Sequence, residues 1–120
     1  MGDFQTKWQA ANDPDTQPEI LDSLSGDVNW IIRSAVAKNR NTSKDALRKL
    51  AKDDNYMVRN SVALNPHTPE DVLDKLASDD NTMVRITLGK NPKAKIETIR
   101  KLVEDKCFTV SKSAIESGRV

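Results

Sequence analysis

The chain repeats itself at a fixed interval of 26 residues. Residues 41 to 65 read NTSKDALRKLAKDDNYMVRNSVALN, and residues 67 to 91 read HTPEDVLDKLASDDNTMVRITLGKN. One interval before Leu47 and Leu50 stand Leu21 and Leu24; one interval after Leu73 and Leu76 stand Ile99 and Leu102. A period of this length marks a repeat array, whose units cannot cover their own apolar faces and contact mainly their neighbours. The expected body is an elongated stack offering a binding surface rather than an enclosed catalytic pocket. The repeats fall at residues 11–36, 37–62, 63–88 and 89–114 of a single domain. Residues 1–10 form a half-unit closing the amino end, since Phe4 and Lys7 lie one period before Trp30 and Arg33, and residues 115–120 form a tail.

Composition narrows the function classes. With 37% apolar, 4% aromatic and 31% charged residues, the chain suits a thin helical body better than a thick enzyme core. Nineteen Lys and Arg against eighteen Asp and Glu leave a net charge of +1, so no overall field draws it to DNA or an anionic membrane. One cysteine, Cys107, and one histidine, His67, make neither an intramolecular disulfide nor a zinc site, and no metal or cofactor is expected. The opening MGDFQTKWQAANDPD lacks a basic start followed by an apolar run, and no stretch approaches about 18 consecutive apolar residues. A soluble, cytoplasmic setting is the expectation.

Each copy reads as two helices. Thr68, Pro69 and Asp71 precede Val72, Leu73 and Leu76, which predicts a threonine N-cap, a proline in the first turn and a favourable acid. Thr42 with Asp45 and Thr16 with Glu19 repeat the device, whereas the last copy has Ala94 and predicts a looser start. This first helix should run about ten residues to an acid at Asp27, Asp53, Asp79 or Asp105, which is expected to cap the second helix. Val58 with Val62, and Val84 with Leu88, share one side of that second helix. It should end at Asn39, Asn65 or Asn91, with Pro66 and Pro92 turning the chain onward, while Ala11, Ala37, Ala63 and Gly89 allow close backbone approach.

The two-helix unit, its Thr-Pro-Glu start, its Val-Arg dipeptide and its Asn-Pro ending resemble the leucine-rich repeat variant family, a branch of the HEAT-like helical solenoids. The resemblance covers about residues 13 to 113 and is clearest over NPHTPEDVLDKLASDDNTMVR, residues 65 to 85. It implies an all-α fold, a right-handed α-α superhelix of about four two-helix repeats in which longer and very short helices alternate. The chain departs from the pattern near its end, with Lys93-Ala94-Lys95 where the cap belongs and Ser111 where the arginine belongs, as terminal repeats often do. The cysteine-rich extension that can accompany such repeats is absent from this sequence, and no iron-sulfur cluster is implied.

Three constellations could carry recognition. Lys7, Arg33, Arg59 and Arg85 share one register position, and an arginine ladder can grip phosphates or carboxylates bidentately. The regular Asp27, Asp53, Asp79 and Asp105 supply the rival reading, ion pairs within or between units. Three residues earlier runs Phe4, Trp30, Tyr56, Thr82, Phe108, which either fills space between units or forms an aromatic contact face. Net charge alternates as −4, +4, −3 and +4 over residues 11–36, 37–62, 63–88 and 89–120, which favours attraction between neighbours over tracking along nucleic acid. Lys90, Lys93, Lys95, Arg100 and Lys101 concentrate positive charge in the last copy, as a solvated loop or as a dock for an acidic partner.

Catalytic signals are thin. His67 lies in a turn with no nucleophile at a motif spacing, and Cys107 stands in an asparagine column beside Lys106, whose charge would lower its pKa. The expected function is a non-catalytic protein-protein interaction module binding another protein through Trp30, Arg33, Tyr56, Arg59, Arg85, Lys90, Lys93 and Lys95. The alternative is a HEAT-like nucleic-acid module using the arginine column on phosphates. Membrane binding is not expected; self-association through a terminal unit is open, with Trp8, Phe108 and Ile115 the residues concerned.

Overall fold

A computed structural model describes residues 2–120. Among them are nine α-helices and no strand: α1 (Phe4–Asn12), α2 (Pro18–Leu24), α3 (Trp30–Lys38), α4 (Lys44–Leu50), α5 (Tyr56–Leu64), α6 (Glu70–Leu76), α7 (Thr82–Gly89), α8 (Ile96–Val103) and α9 (Phe108–Glu116). Helices of seven to nine residues are too short to hold in water alone, so packing must hold them. The odd-numbered helices lie against one another in order, α1 on α3, α3 on α5, α5 on α7 and α7 on α9, and α2, α4, α6 and α8 each pack against the two odd-numbered helices that flank them in the chain. The body measures 45 × 21 × 19 Å. Among the described residues no helix is long and apolar enough to cross a membrane.

The core follows the leucine register. Leu21, Leu47, Leu73 and Ile99 from the even-numbered helices are fully buried, and Ile32, Val58, Val84 and Val110 meet them from the odd-numbered ones. Fully burying such a side chain contributes about 1.5–3 kcal/mol, so these two rows are the principal stabilising element. Ala11, Ala37, Ala63 and Gly89 are buried where backbones converge, and a Cβ at Gly89 would meet Leu102 Cδ1 at 3.4 Å.

Helix ends differ from the sequence reading in four respects. α2, α4 and α6 stop after seven residues rather than about ten, because the N–H groups of Asp27, Asp53 and Asp79 bond three residues back, to Leu24, Leu50 and Leu76, and tighten the chain into a turn. The threonines do not cap the helices that follow them. Thr16, Thr42 and Thr68 donate their hydroxyls backward to the carbonyls of Ala10, Val36 and Val62, at 2.6, 2.5 and 2.7 Å. Those carbonyls, in the last turn of the preceding helix, also accept the N–H of Asp13, Asn39 and Asn65 at 3.3, 3.0 and 3.2 Å, so each threonine supplies a second donor that ties the following turn to the helix end. The N-cap residues are instead Gln17, Ser43, Pro69 and Lys95, and of these only Ser43 accepts a backbone N–H, from Ala46.

The repeated aspartates are likewise one step removed from the caps expected of them. Asn29, Asn55 and Asn81 cap α3, α5 and α7 through their side chains, and Asp27, Asp53 and Asp79 accept the N–H of those asparagines at 2.9 Å. Breaks drawn at residues 36, 62 and 88 fall inside α3, α5 and α7, whose last turns continue to Lys38, Leu64 and Gly89.

Candidate interaction surface

The basic column forms a chain of bridges. Arg33 donates from Nε and Nη2 to the Asp53 carboxylate at 2.7 and 3.1 Å, Arg59 to Asp79 at 2.8 and 3.2 Å, and Arg85 to Asp105 at 2.8 and 3.2 Å. Each pair spans twenty residues and links one odd-numbered helix to the turn leading into the next. The third guanidinium nitrogen reaches back, from Arg33 to the Asp27 carbonyl, Arg59 to that of Asp53 and Arg85 to that of Asp79, at 2.8, 2.7 and 2.7 Å. Each arginine therefore ties two successive acidic turns together. Lys7 begins the series on Asp27 at 2.8 Å, and Ser111 ends it, donating to the Val103 carbonyl. A planar fork suits the site because a carboxylate and a carbonyl lie in different directions, which one ammonium cannot serve equally well.

Titration follows the geometry. The Lys7 ammonium, then the Asn29 N–H, hold Asp27 below the ordinary carboxylate range. At Asp53 and Asp105 burial acts most strongly and pushes upward, but the guanidinium of Arg33 or Arg85 and the N–H of Asn55 or Cys107 together outweigh it, so both also end low. Hydrogen bonds to Asp53 and Asp79 raise Arg33 and Arg59.

A second set of ties was invisible in local sequence windows. Asn39 donates its side-chain amide to the carbonyls of Ala11 and Asp13, Asn65 to those of Ala37 and Asn39, and Asn91 to those of Ala63 and Asn65, all between 2.8 and 3.1 Å. All three asparagines are buried, and each amide supplies the donor to a helix-end carbonyl, of Ala11, Ala37 or Ala63, and a second donor to the carbonyl of Asp13, Asn39 or Asn65, which also accepts the N–H of Thr16, Thr42 or Thr68. Their recurrence every 26 residues was the available signal. At the carboxyl end Ser117 holds the asparagine position, and Arg119 supplies the donors instead, to the carbonyls of Asn91 and Ala94.

The aromatic column is exposed rather than used as filler. Trp30 and Tyr56 keep about two-fifths of their surface, 40% and 41%, and Phe108 keeps 77%. Phe4 and Trp8 are also open at the amino end, as is Ile115 at the other. Beside the aromatics run Ile31, Met57 and Met83, one from each of α3, α5 and α7; Ile31 and Met83 are exposed and Met57 is half-buried. Between α3 and α5 the hydroxyls of Ser34 and Ser61 meet at 2.6 Å, and in the next interval the Asn60 Oδ1 is buried without a partner.

The expected lysine cluster is divided. Lys95 lies 3.8 and 3.7 Å from Glu70 and Asp74, and Lys101 donates to the Ser78 hydroxyl, whereas Lys90 and Lys93 stand exposed without an ion pair among the described residues. Arg48 pairs with Asp71 between α4 and α6. Opposite charges on neighbouring even-numbered helices thus meet at several points. Cys107 is the N-terminal cap position of α9, and the N–H groups of Val110 and Thr109 lower its thiol pKa. It lies in a hollow of about 710 Å³ lined in part by Asp80, Thr82, Arg85 and Lys106. His67 is exposed in its turn, with its backbone N–H on the Asn65 side chain. Among the described residues no three His, Cys, Asp or Glu side chains are grouped to hold a metal ion. No protein-family model, no curated protein and no solved structure matches the chain.

Proposed function

We propose that this chain is a non-catalytic protein-interaction module, built as a short right-handed α-α solenoid of about four 26-residue units of the leucine-rich repeat variant kind. The observation that carries the reading is a division of roles within one helix turn. Arg33 and Arg59 have their guanidinium donors committed to aspartates and turn carbonyls, while Trp30 and Tyr56, three residues before them, remain exposed. Half-exposed aromatics held on short, well-anchored helices are good binding anchors, because they lose little conformational freedom when covered. In this reading the arginines set the spacing of the contact face, and Trp30, Tyr56, Lys90 and Lys93 meet the partner. A phosphate-binding role would require the arginines to leave carboxylates that already satisfy them.

The test is capture from host lysate after nuclease treatment, comparing the parent chain with Trp30→Ala/Tyr56→Ala and with Arg59→Lys. A specific protein retained by the parent and by Arg59→Lys, and lost from a folded double aromatic variant, is the expected outcome. Capture that disappears with nuclease, or that is indifferent to the aromatic pair, would overturn the reading.

A further inference from the structure

We infer that the exposed face of α3, α5 and α7 is a groove for one amphipathic helix of a partner protein, a helix with carboxylates along one flank. The inference rests on the interaction-module reading and adds the chemistry of the partner. Three observations carry it.

The first is the floor. Ile31, Met57 and Met83 occupy the same register on three successive helices, with Trp30 and Tyr56 alongside. Single exposed apolar residues need no explanation, but a row continuing from helix to helix marks a contact surface. Methionine thioethers suit it, since they adapt to the shape of an apolar ligand face.

The second is charge. Lys38, Arg40, Lys90 and Lys93 lie at the carboxyl ends of α3 and α7, all exposed, and no carboxylate of the described residues is within 4.0 Å of any of them. Most of the other cations without a carboxylate partner, among them Lys44, Lys49, Lys75, Arg100 and Lys101, belong to the even-numbered helices, so among the described residues these four are the free cations at the carboxyl ends of α3 and α7. The opposite edge, at the amino ends of α5 and α7, carries exposed Asp54 and Asp80, with Asp80 already touching Arg59 at 3.2 Å. A partner is therefore favoured when its acids lie on one flank and not the other.

The third is size. Helices of eight or nine residues are about 12–13.5 Å long, which matches the 10–12 Å diameter of a single helix laid across them. Consecutive odd-numbered helices pack directly on one another, so their exposed sides follow one another without an intervening helix and offer a slender ligand a continuous track.

The experiment uses fluorescence anisotropy with the full chain and three probes: a 21-residue helical peptide with a leucine stripe, glutamates on one flank and glutamines on the other; the same peptide with lysines for glutamates; and a 20-nucleotide single-stranded RNA. The glutamate peptide is expected to bind about tenfold or more tightly than the lysine peptide. Lys38→Glu/Lys90→Glu should reverse that preference, and Met83→Asp should abolish binding of both, with helical content unchanged by circular dichroism. Equal binding of the two peptides, binding of neither, or RNA binding in place of peptide binding would overturn the groove. If the peptides fail while lysate capture still depends on Trp30 and Tyr56, the groove falls and the module stands; loss of that dependence removes both.

Discussion

Arg59 and Asp79 are joined by two parallel hydrogen bonds of 2.8 and 3.2 Å across twenty residues of chain, and the same bond pattern recurs at Arg33 with Asp53 and at Arg85 with Asp105. Because each arginine also holds the carbonyl of the acid six residues before it, neighbouring turns are fixed relative to one another through one rigid side chain.

Arg85 is the most buried arginine of the three, at 6% exposure. Arg85→Ala leaves the Asp105 carboxylate and the Asp79 carbonyl without their donor and should cost about 2–4 kcal/mol. Arg85→Lys should recover less than half of that, since an ammonium cannot reproduce the fork. Urea unfolding of the three proteins checks the order.

Asn65→Ala removes both donors to the Ala37 and Asn39 carbonyls, and Thr68→Val removes the donor to Val62 while nearly conserving shape. Asn65→Ala should destabilise by about 1–3 kcal/mol, measured by chemical unfolding, because the buried Ala37 carbonyl loses its donor, and Thr68→Val by about 0.5–1.5 kcal/mol, since the Val62 carbonyl keeps the Asn65 N–H. A loss below about 0.5 kcal/mol at both positions would mean that these amides and hydroxyls are incidental.

The folded-state pKa values of Asp27, Asp53 and Asp105 are lowered, so the unfolded chain binds more protons at these sites in the acid range. Their contribution is fully present above the unfolded carboxylate value of about 4 and is lost as pH falls through the folded values. Unfolding midpoints should therefore be flat from pH 7 down to about 5 and drop steeply below about 4. Arg33→Ala should shallow that drop, because Asp53 then loses its principal stabilising partner.

Gly89 closes α7 where Ala11, Ala37 and Ala63 stand in the equivalent positions, and its φ is not positive. Gly89→Ala should stabilise by about 0.5–1 kcal/mol through reduced unfolded-state entropy, the added Cβ making an ordinary contact with Leu102. Gly89→Leu should destabilise by at least as much through overpacking, and thermal melts distinguish the two.

The helical character and the buried rows were legible because residue type alone carries them: Leu47, Leu50, Val58 and Val62 recur with helical spacing inside a longer period. What was not legible was the choice of polar partner. Thr68 stands where an N-cap would be, but its hydroxyl donates as well as accepts, and the bond it makes runs to a carbonyl six residues behind it. Asn65 finds its acceptors 26 and 28 residues away, beyond any local window. The aspartate and arginine columns were both visible, yet their spacing admitted a pair within one unit or across two. The structure places the side-chain bond across and the backbone bond within. Exposure of Trp30 and Tyr56 was undetermined for a related reason: a ring at that register fills space only if the neighbouring helix stands far enough away.

The most direct test of the claim that the arginine column holds the stack together is a double-mutant cycle on Arg59 and Asp79, followed by urea unfolding. Arg59→Ala, Asp79→Ala and the double variant should give a coupling energy of about 1–3 kcal/mol, with the double variant less destabilised than the two single losses added together. A coupling within about 0.3 kcal/mol of zero would contradict the account and return Arg33, Arg59 and Arg85 to the surface as groups available for a ligand.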